Sequence, residues 1–211
     1  KPFPHLTGNG CHTHVSLWNN AGLKNLFFDK QDEMGVSELG YHFLGGILHS
    51  ASALTAFFNP TVNSYKRLMA TTTASGATWS PNAISYGGNN RTHLVRIPDT
   101  GRFELRLMDG SANPYLSQAA ILAAGLDGID NNRDPGKRLD INMYDAGSIP
   151  RGVKRLPLSL FEALEALSKS KILEKRIGAV PISSYLKLKT AEWRDYLGHH
   201  SRWETDHTLD C

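Results

Sequence analysis

Gly101–Pro114 reads G-R-F-E-L-R-L-M-D-G-S-A-N-P and predicts the strand around which the rest of the chain is organised. Alternate side chains of a strand face the same way, so Arg102, Glu104 and Arg106 would line one face. The apolar residues between them would line the opposite, buried face. The polar face would hold one carboxylate between two guanidinium groups, which fits either a solvated surface with weak ion pairs or a binding site.

A second polar strand face is predicted near the start of the chain. Gly8–Leu17 reads G-N-G-C-H-T-H-V-S-L, and alternation places His12, His14 and Ser16 on one face. An imidazole and a carboxylate from separate strands often bind a divalent metal, and flanking arginines suit phosphate or carboxylate groups. If the two strands are neighbours, the sequence predicts a site where their faces meet.

The central strand is predicted to form half of a β-hairpin. Arg91–Ile97 and Arg102–Leu107 flank the turn sequence P-D-T-G. Alternation sends Arg91 and Arg96 to opposite faces, so both can serve one ligand only if the strand is bulged or Arg91 lies in the preceding loop. Arginines this dense repel one another unless an anion or acidic partners lie among them, which favours bound phosphate. The set is Arg91, Arg96, Arg102 and Arg106.

Two longer helices are predicted from caps and apolar periodicity. Ser37 would cap a helix that runs to about Phe58, and its internal Gly45–Gly46 pair predicts close packing of another element. Asn113–Pro114 would begin a second, largely buried helix ending near Ile129.

The remaining segments show weaker signals. Met69–Asn90 is polar and predicts either a functional loop over a site or a surface loop with one short strand around Ile84–Tyr86. Near the C-terminus, Ser159 and Glu162 predict a capping box for a helix to about Lys169. A short helix would then end near Gly178 and a last one would cover about 183–197, all with structural roles.

Composition narrows the class of protein. The 211 residues suit one domain or a large part of one, and the first residue is Lys1, which indicates a fragment or a processed product. The net charge is +3 without a clustered basic block, so we expect no nucleic-acid partner. No apolar run approaches the roughly 18 residues that span a bilayer. Cys11 and Cys211 are the only cysteines, so we expect a soluble, cytoplasmic protein without disulfides, with Cys11 as a small buried strand residue rather than a nucleophile.

Several motifs in order carry a resemblance to a known family. They are G-N-G-C-H-T-H-V-S-L, N-P-T-V-N-S-Y-K-R-L, N-N-R-T-H-L-V-R-I-P, R-F-E-L-R and N-P-Y-L…A-A-G-L-D-G-I. From about Thr7 to Ile129 the chain resembles the C-terminal catalytic half of glutamine synthetase. It is similar to the type III glutamate–ammonia ligase subgroup, which includes γ-glutamylmethylamide synthetases. The stretches T-T-T-A-S-G-A-T-W-S-P and W-E-T-D-H-T-L-D-C extend this likeness to nearly the whole chain.

The resemblance implies an α+β fold in which a curved antiparallel sheet is backed by helices. It implies that 1–211 form the C-terminal part of the catalytic domain, without the N-terminal β-grasp domain and the rest of the catalytic domain. The full-length protein would be a homo-oligomer of two stacked hexameric rings. Without its N-terminal part, this fragment would be inactive alone.

The implied activity is an ATP-dependent ligase with Mg²⁺ or Mn²⁺. It joins ammonia to the γ-carboxylate of glutamate through γ-glutamyl phosphate, giving glutamine. By resemblance, His12 and Glu104 would bind metal, and His14 and Ser16 would contact the nucleotide. Glutamate would be held by Gly8, Arg67 and Arg106. The ATP phosphates or the transferring phosphoryl group would be contacted by Arg91, Arg96 and Arg102.

Two positions depart from the family pattern. Many members have a glutamate six residues after the arginine of N-S-Y-K-R, where it acts as the general base, and this chain has Thr73 there. An alkylamine acceptor such as methylamine is therefore an alternative to ammonia. A common asparagine is also replaced by Thr7. A further alternative is a non-catalytic module that keeps the metal and nucleotide face.

Overall fold

The central sheet has four short strands in the order β1-β6-β5-β4. Strand β1 (Thr13–Val15) pairs antiparallel with β6 (Phe103–Leu105), and β6 pairs antiparallel with β5 (Val95–Arg96). Strand β4 (Tyr86–Gly87) runs parallel to β5. The predicted hairpin is therefore confirmed.

The expected α+β fold is confirmed, but its sheet differs from the expected curved antiparallel sheet in two respects. The loop of residues 88–94 brings the chain back so that β5 runs in the same direction as β4, which makes the sheet mixed. The strands are two or three residues long, too short for twist to accumulate, and the sheet is uncurled.

The structure of the chain is a computed structural model. It describes residues 1, 3, 5–69, 80–144 and 149–209, and only the backbone at 72–73 and 76–77. In the described part there are seven helices, namely α1 Glu38–Phe58, α2 Ser64–Leu68, α3 Pro114–Asp130, α4 Leu160–Ser168, α5 Lys171–Ile177, α6 Ala179–Leu197 and α7 Arg202–Thr208. A separate two-stranded pairing joins β2 (Thr72–Thr73) to β3 (Gly76–Ala77). None of the described helices is long and apolar enough to cross a membrane.

Helix α1 forms the centre of the core and packs against α3. Ser37 caps it by accepting a hydrogen bond from Gly40 N, as predicted. The predicted close packing at the glycine pair is confirmed. A Cβ on Gly45 would lie 2.2 Å from Arg133 O, and one on Gly46 would lie 2.0 Å from Ala124 O. Gly46 lets the backbones of α1 and α3 approach, and Gly45 lets the segment after α3 pass close to α1.

The C-terminal helices differ from expectation in three ways. Helix α6 begins at Ala179, ahead of Pro181, because a proline in the first turn loses no intrahelical hydrogen bond. The cap of α4 is half of a capping box: Ser159 accepts from Glu162 N, but the Glu162 carboxylate accepts from Leu158 N. The complete capping box lies on the unpredicted helix α7, between Ser201 and Glu204.

The prediction for Cys11 is wrong. It is exposed, because β1 begins two residues later and the alternation of a strand does not reach it. Cys211 lies outside the described residues. In the polar stretch 69–90, the short strand expected around Ile84–Tyr86 is found as β4. Most of residues 70–79 also lie outside the described residues, so the choice between a functional and a surface loop stays open.

Candidate active site

The sheet brings the two predicted polar faces together. The register of β1 and β6 places His14 opposite Glu104. His12 lies one step along the same face, and its Nδ1 is 3.0 Å from Glu104 Oε1. Strand alternation was therefore sufficient to predict which side chains share this face, and the pairing of β1 with β6 brings them into contact.

Glu104 is a buried charge of this face, with 4% of its surface exposed. Arg106 Nη1 donates to its Oε1 at 2.8 Å, and Arg96 Nη1 donates to its Oε2 at 2.6 Å. Burial raises the pKa of Glu104, but the hydrogen bond from Arg96 and the charges of Arg106 and Arg96 outweigh it. The net effect is a pKa below the usual value. Glu104 is thus held as a carboxylate.

His12 is held as a neutral imidazole. Burial and the charge of Arg106 lower its pKa, against the opposing effect of Glu104. Its Nδ1 has two neighbours, because Arg106 Nη1 is also 3.3 Å away. A proton on Nδ1 would face the guanidinium, whereas a lone pair there would face the Glu104 oxygen. Either tautomer leaves one of these contacts unfavourable.

A divalent cation fits the His12–Glu104 pair. Two ligand atoms at right angles, each about 2.1 Å from Mg²⁺, lie about 3.0 Å apart, which matches the observed 3.0 Å separation. A cation bound by both lone pairs would also remove the conflict at Nδ1. No group of three or more His, Cys, Asp or Glu with metal-binding geometry occurs among the described residues. Among the described residues, the pair alone could supply two ligands to a divalent cation.

Arg91 and Arg96 line one open cleft of about 540 Å³. Arg91 lies in the loop before β5, which decides between the two predicted alternatives in favour of the loop rather than a bulge. The Arg91 carbonyl accepts a hydrogen bond from Arg106 Nε at 3.0 Å. Arg96 is oriented by Asn89, whose Oδ1 accepts from Arg96 Nε at 2.9 Å. Both guanidinium groups can therefore contact a single anion in this cleft.

Arg102 lies at the exposed end of the same face. Its Nε and Nη2 donate to the two carboxylate oxygens of Asp99 at 2.6 and 2.7 Å. Its Nη1 lies 3.0 Å from His14 Nδ1. Since a guanidinium only donates, His14 Nδ1 accepts here and its Nε2 carries the proton. Ser16 is exposed beside these groups and accepts from Trp18 Nε1 at 3.0 Å.

Arg67 lies on α2 and is deeply buried, with 2% of its surface exposed. Its Nη2 donates to Asn59 Oδ1 at 3.2 Å and to the carbonyl of Leu107. Burial lowers the pKa of Arg67 to about 10, so it stays charged at neutral pH. Two glycines make room for it, because a Cβ on Gly8 would lie 2.7 Å from its Cγ and one on Gly10 would lie 3.2 Å from its Nη1.

Four polar residues around Arg67 were not identified from the sequence. Each lies in a loop or at a helix end, without the alternation that marked the strand residues. Asn59 directly follows α1, and it is fully buried with its amide bonded to Leu107 O. The others are Ser80, Asp109 and Tyr144. The one signal in the sequence was Asn59, a polar residue directly after a long apolar helix.

Thr73 cannot be placed relative to these groups. Its backbone belongs to β2, and its side chain lies outside the described residues. The link between Thr73 and the choice of acceptor amine stays a prediction.

Comparisons with known proteins identify the family of the chain. A family profile described as "Glutamine synthetase, catalytic domain" matches residues 1–208. The chain belongs to the glutamine synthetase family and has the fold of its catalytic domain.

Two curated relatives illustrate the range of the family. Glutamine synthetase of Rhizobium leguminosarum bv. phaseoli is 55% identical over 210 residues, covering 100% of this chain and 48% of the relative. Glutamate–methylamine ligase of Methyloversatilis universalis is 46% identical over 215 residues, covering 100% of this chain and 48% of the relative. The chain therefore spans about half the length of these relatives.

Two solved structures match the whole chain. GmaS in a complex with ADP is 58% identical with a TM-score of 0.92, covering 100% of this chain and 48% of GmaS. GmaS without ligand is 55% identical with a TM-score of 0.90, covering 100% of this chain and 47% of GmaS.

Proposed function

We propose that residues 1–211 are the C-terminal part of the catalytic domain of an ATP-dependent ligase. The reaction joins ammonia to the γ-carboxylate of L-glutamate through γ-glutamyl phosphate and gives glutamine. The observation that carries the proposal is the Glu104 carboxylate, which lies against His12 and is bonded by Arg96 and Arg106. Phosphoryl transfer depends mainly on positioning and on positive charge around the phosphoryl oxygens, and this face offers both.

The metal would be Mg²⁺ or Mn²⁺, held by His12 and Glu104. When bound it neutralises phosphate charge and orients the ATP phosphates. The ionised state of Glu104 and the neutral state of His12 are the protonation states that metal binding requires.

The arginines divide into two groups by position. Arg91 and Arg96 line the open cleft and would contact the transferring phosphoryl group, as catalytic residues. Arg102 would contact ATP phosphates with the hydrogen-bonding capacity left after its contacts with Asp99 and His14. The Nε2–H of His14 and the hydroxyl of Ser16 point to nucleotide contacts at the exposed edge of the sheet.

Glutamate would be held near Oε1 of Glu104, the oxygen that Arg106 bonds. Arg106 is nearly fully buried and bonds Glu104, while Arg67 is enclosed beside Gly8 and Gly10. Two buried guanidinium groups provide a strongly positive surface for the substrate's carboxylates. The missing side chain at Gly8 lets the backbone approach that substrate.

Methylamine is the second candidate for the acceptor amine. Thr73 stands where many members have the basic glutamate, and the two GmaS structures are among the proteins that match the whole chain. A non-catalytic module is the third possibility, and it is disfavoured by the complete set of His12, Glu104 and the arginines. We also propose that the full-length protein is cytoplasmic, is a homo-oligomer of two hexameric rings, and is required for activity.

The test is phosphate release from ATP by the full-length protein with glutamate and Mg²⁺ or Mn²⁺, comparing ammonia with methylamine. Faster turnover with ammonia supports a glutamine synthetase, and faster turnover with methylamine supports the second candidate. No release with either amine supports the non-catalytic module. Glu165→Gln on the exposed face of α4 is a matched control for charge loss and should leave turnover unchanged.

A further inference from the structure

A buried carboxylate lies behind the candidate glutamate site and has no role in the function proposed above. Asp109 has 1% of its surface exposed. Among the described residues its Oδ2 has no hydrogen-bond partner, and neither do the buried Nε of Arg67 and Oδ1 of Asn9. An acceptor and a donor of opposite charge are thus left without hydrogen bonds in one small region.

The other oxygen of Asp109 holds two loops together. Its Oδ1 accepts from the amide and the hydroxyl of Ser111, each at 2.6 Å, and from Asn9 Nδ2 at 3.2 Å. The backbone repeats this link, because Gly110 N donates to Asn9 O at 2.8 Å and Gly10 forms an isolated bridge with Asp109. Asp109 therefore fixes the segment of residues 8–10 against the end of the central strand.

The same segment contacts the Arg67 side chain. Gly8 and Gly10 leave no room for a Cβ beside it, so a shift of residues 8–10 moves the surface against which the guanidinium rests. Leu107, two residues before Asp109, provides the carbonyl that accepts from Arg67 Nη2. Asp109 is thus joined to the surroundings of Arg67 through both of its neighbouring chain segments.

Asp109 also supplies charge. A buried guanidinium is costly unless a negative charge lies near it. Burial lowers the pKa of Arg67, and Asp109 is the largest opposing influence, ahead of Tyr144.

We propose that Asp109 is a positioning residue for substrate binding, which holds the Arg67 guanidinium and the segment of residues 8–10 in the arrangement that receives a carboxylate of glutamate. This inference rests on the proposed function, since it assigns Arg67 to glutamate. Asp109 does not touch the substrate and acts through Arg67.

Asp109→Asn in the full-length protein tests the proposal, because it keeps the shape and removes the charge. We expect KM for glutamate to rise about tenfold, the scale of a buried charge losing its partner. We expect kcat and KM for ATP to stay within about twofold, because the phosphate-binding residues lie on another part of the sheet. An unchanged KM for glutamate, or an equal loss in all three constants, would overturn the proposal.

A double-mutant cycle separates positioning from general damage. In an Arg67→Lys background, Asp109→Asn should add little to the rise in KM for glutamate, since the group through which it acts is already altered. Additive effects would show that Asp109 acts independently of Arg67. Ser111→Ala is the matched control, because it removes the hydroxyl hydrogen bond to Asp109, keeps the bond from the backbone amide and leaves the charge of Asp109 in place. It should raise KM for glutamate less than Asp109→Asn does.

Asn9→Ala covers the case in which Asp109→Asn does not fold. It removes the hydrogen bond that the half-buried Asn9 side chain donates to Asp109. KM for glutamate should rise about threefold with kcat unchanged. An unaltered KM would again contradict the proposal. Failure of the proposed function looks different, because the wild-type protein itself would then show no glutamate-dependent phosphate release.

Discussion

Two ion pairs on the same polar face have the same length and very different surroundings. Arg96 and Glu104 are 2.6 Å apart with side chains 16% and 5% exposed, and Arg102 and Asp99 are 2.6 Å apart with side chains 41% and 54% exposed. The first pair is shielded by neighbouring strands, whereas the second lies at the tip of the hairpin in contact with water. Distance alone therefore does not indicate importance, because solvent screens the exposed pair and not the enclosed one.

The largest effect is expected at the enclosed pair. Glu104→Gln in the full-length protein should lower metal-dependent phosphate release by about a thousandfold or more, because one metal ligand and the counter-charge of two arginines are lost. Circular dichroism should show an unchanged fold, since glutamine has the same shape. Retained activity would show that Glu104 is not part of the active site. It would also weaken the contrast between the enclosed and the exposed ion pair.

The same contrast between enclosed and open positions applies to the backbone. Gly46→Ala should lower the free energy of unfolding by about 3 kcal/mol, because the new Cβ meets backbone atoms of α3 that cannot move independently. Gly88→Ala is the control, since no atom lies within 4 Å of a Cβ placed there. Urea denaturation of both variants measures the difference, and equal midpoints would contradict the packing of α1 on α3.

An intermediate effect is expected at the half-buried Asp32. Burial raises its pKa, but hydrogen bonds from Val36 N, the Tyr41 hydroxyl and Met34 N outweigh it, so the pKa lies below the usual value. A carboxyl whose folded-state pKa is lowered contributes stability above its unfolded pKa, and this contribution is lost as pH falls through the folded-state pKa. Asp32→Asn should therefore cost about 1 kcal/mol at pH 7 after allowance for solvent screening.

The measurement for Asp32 is urea denaturation of wild type and variant between pH 7 and pH 3. The difference between them should narrow toward the acid end, below the ordinary aspartate pKa of about 3.9. A difference that is constant with pH would mean that shape, and not charge, explains the loss.

The smallest effect is expected at the exposed pair. Asp99→Asn should leave the midpoint of unfolding unchanged, because the pair is open to solvent. It removes one of the two oxygens that orient Arg102, so a modest rise in KM for ATP is expected, about twofold. A large loss of stability would show that exposure does not distinguish the two pairs.

The helix caps and the strand faces of this molecule were predictable because they depend on residues close together in the sequence. The cap of α1 at Ser37 and that of α3 at Asn113 depend on side chains a few residues from the backbone groups they bond. The faces of β1 and β6 follow from the period of two in a strand. The unpredicted parts depend on how segments pack. The parallel pairing of β4 with β5 depends on the path of the loop between them, and the burial of Arg67 depends on contacts such as that with Leu107, forty residues away.

The sequence by itself determined that Glu104 shares a face with Arg102 and Arg106, and it carried the motifs of the glutamine synthetase family. The tertiary structure decided that His12 comes within 3.0 Å of Glu104, from a strand about ninety residues earlier in the chain. It also decided that Asp109 is buried near enough to Arg67 for its charge to affect the guanidinium. The physical reason is that alternation and capping are properties of a few consecutive residues, whereas strand pairing and burial depend on how the whole core packs.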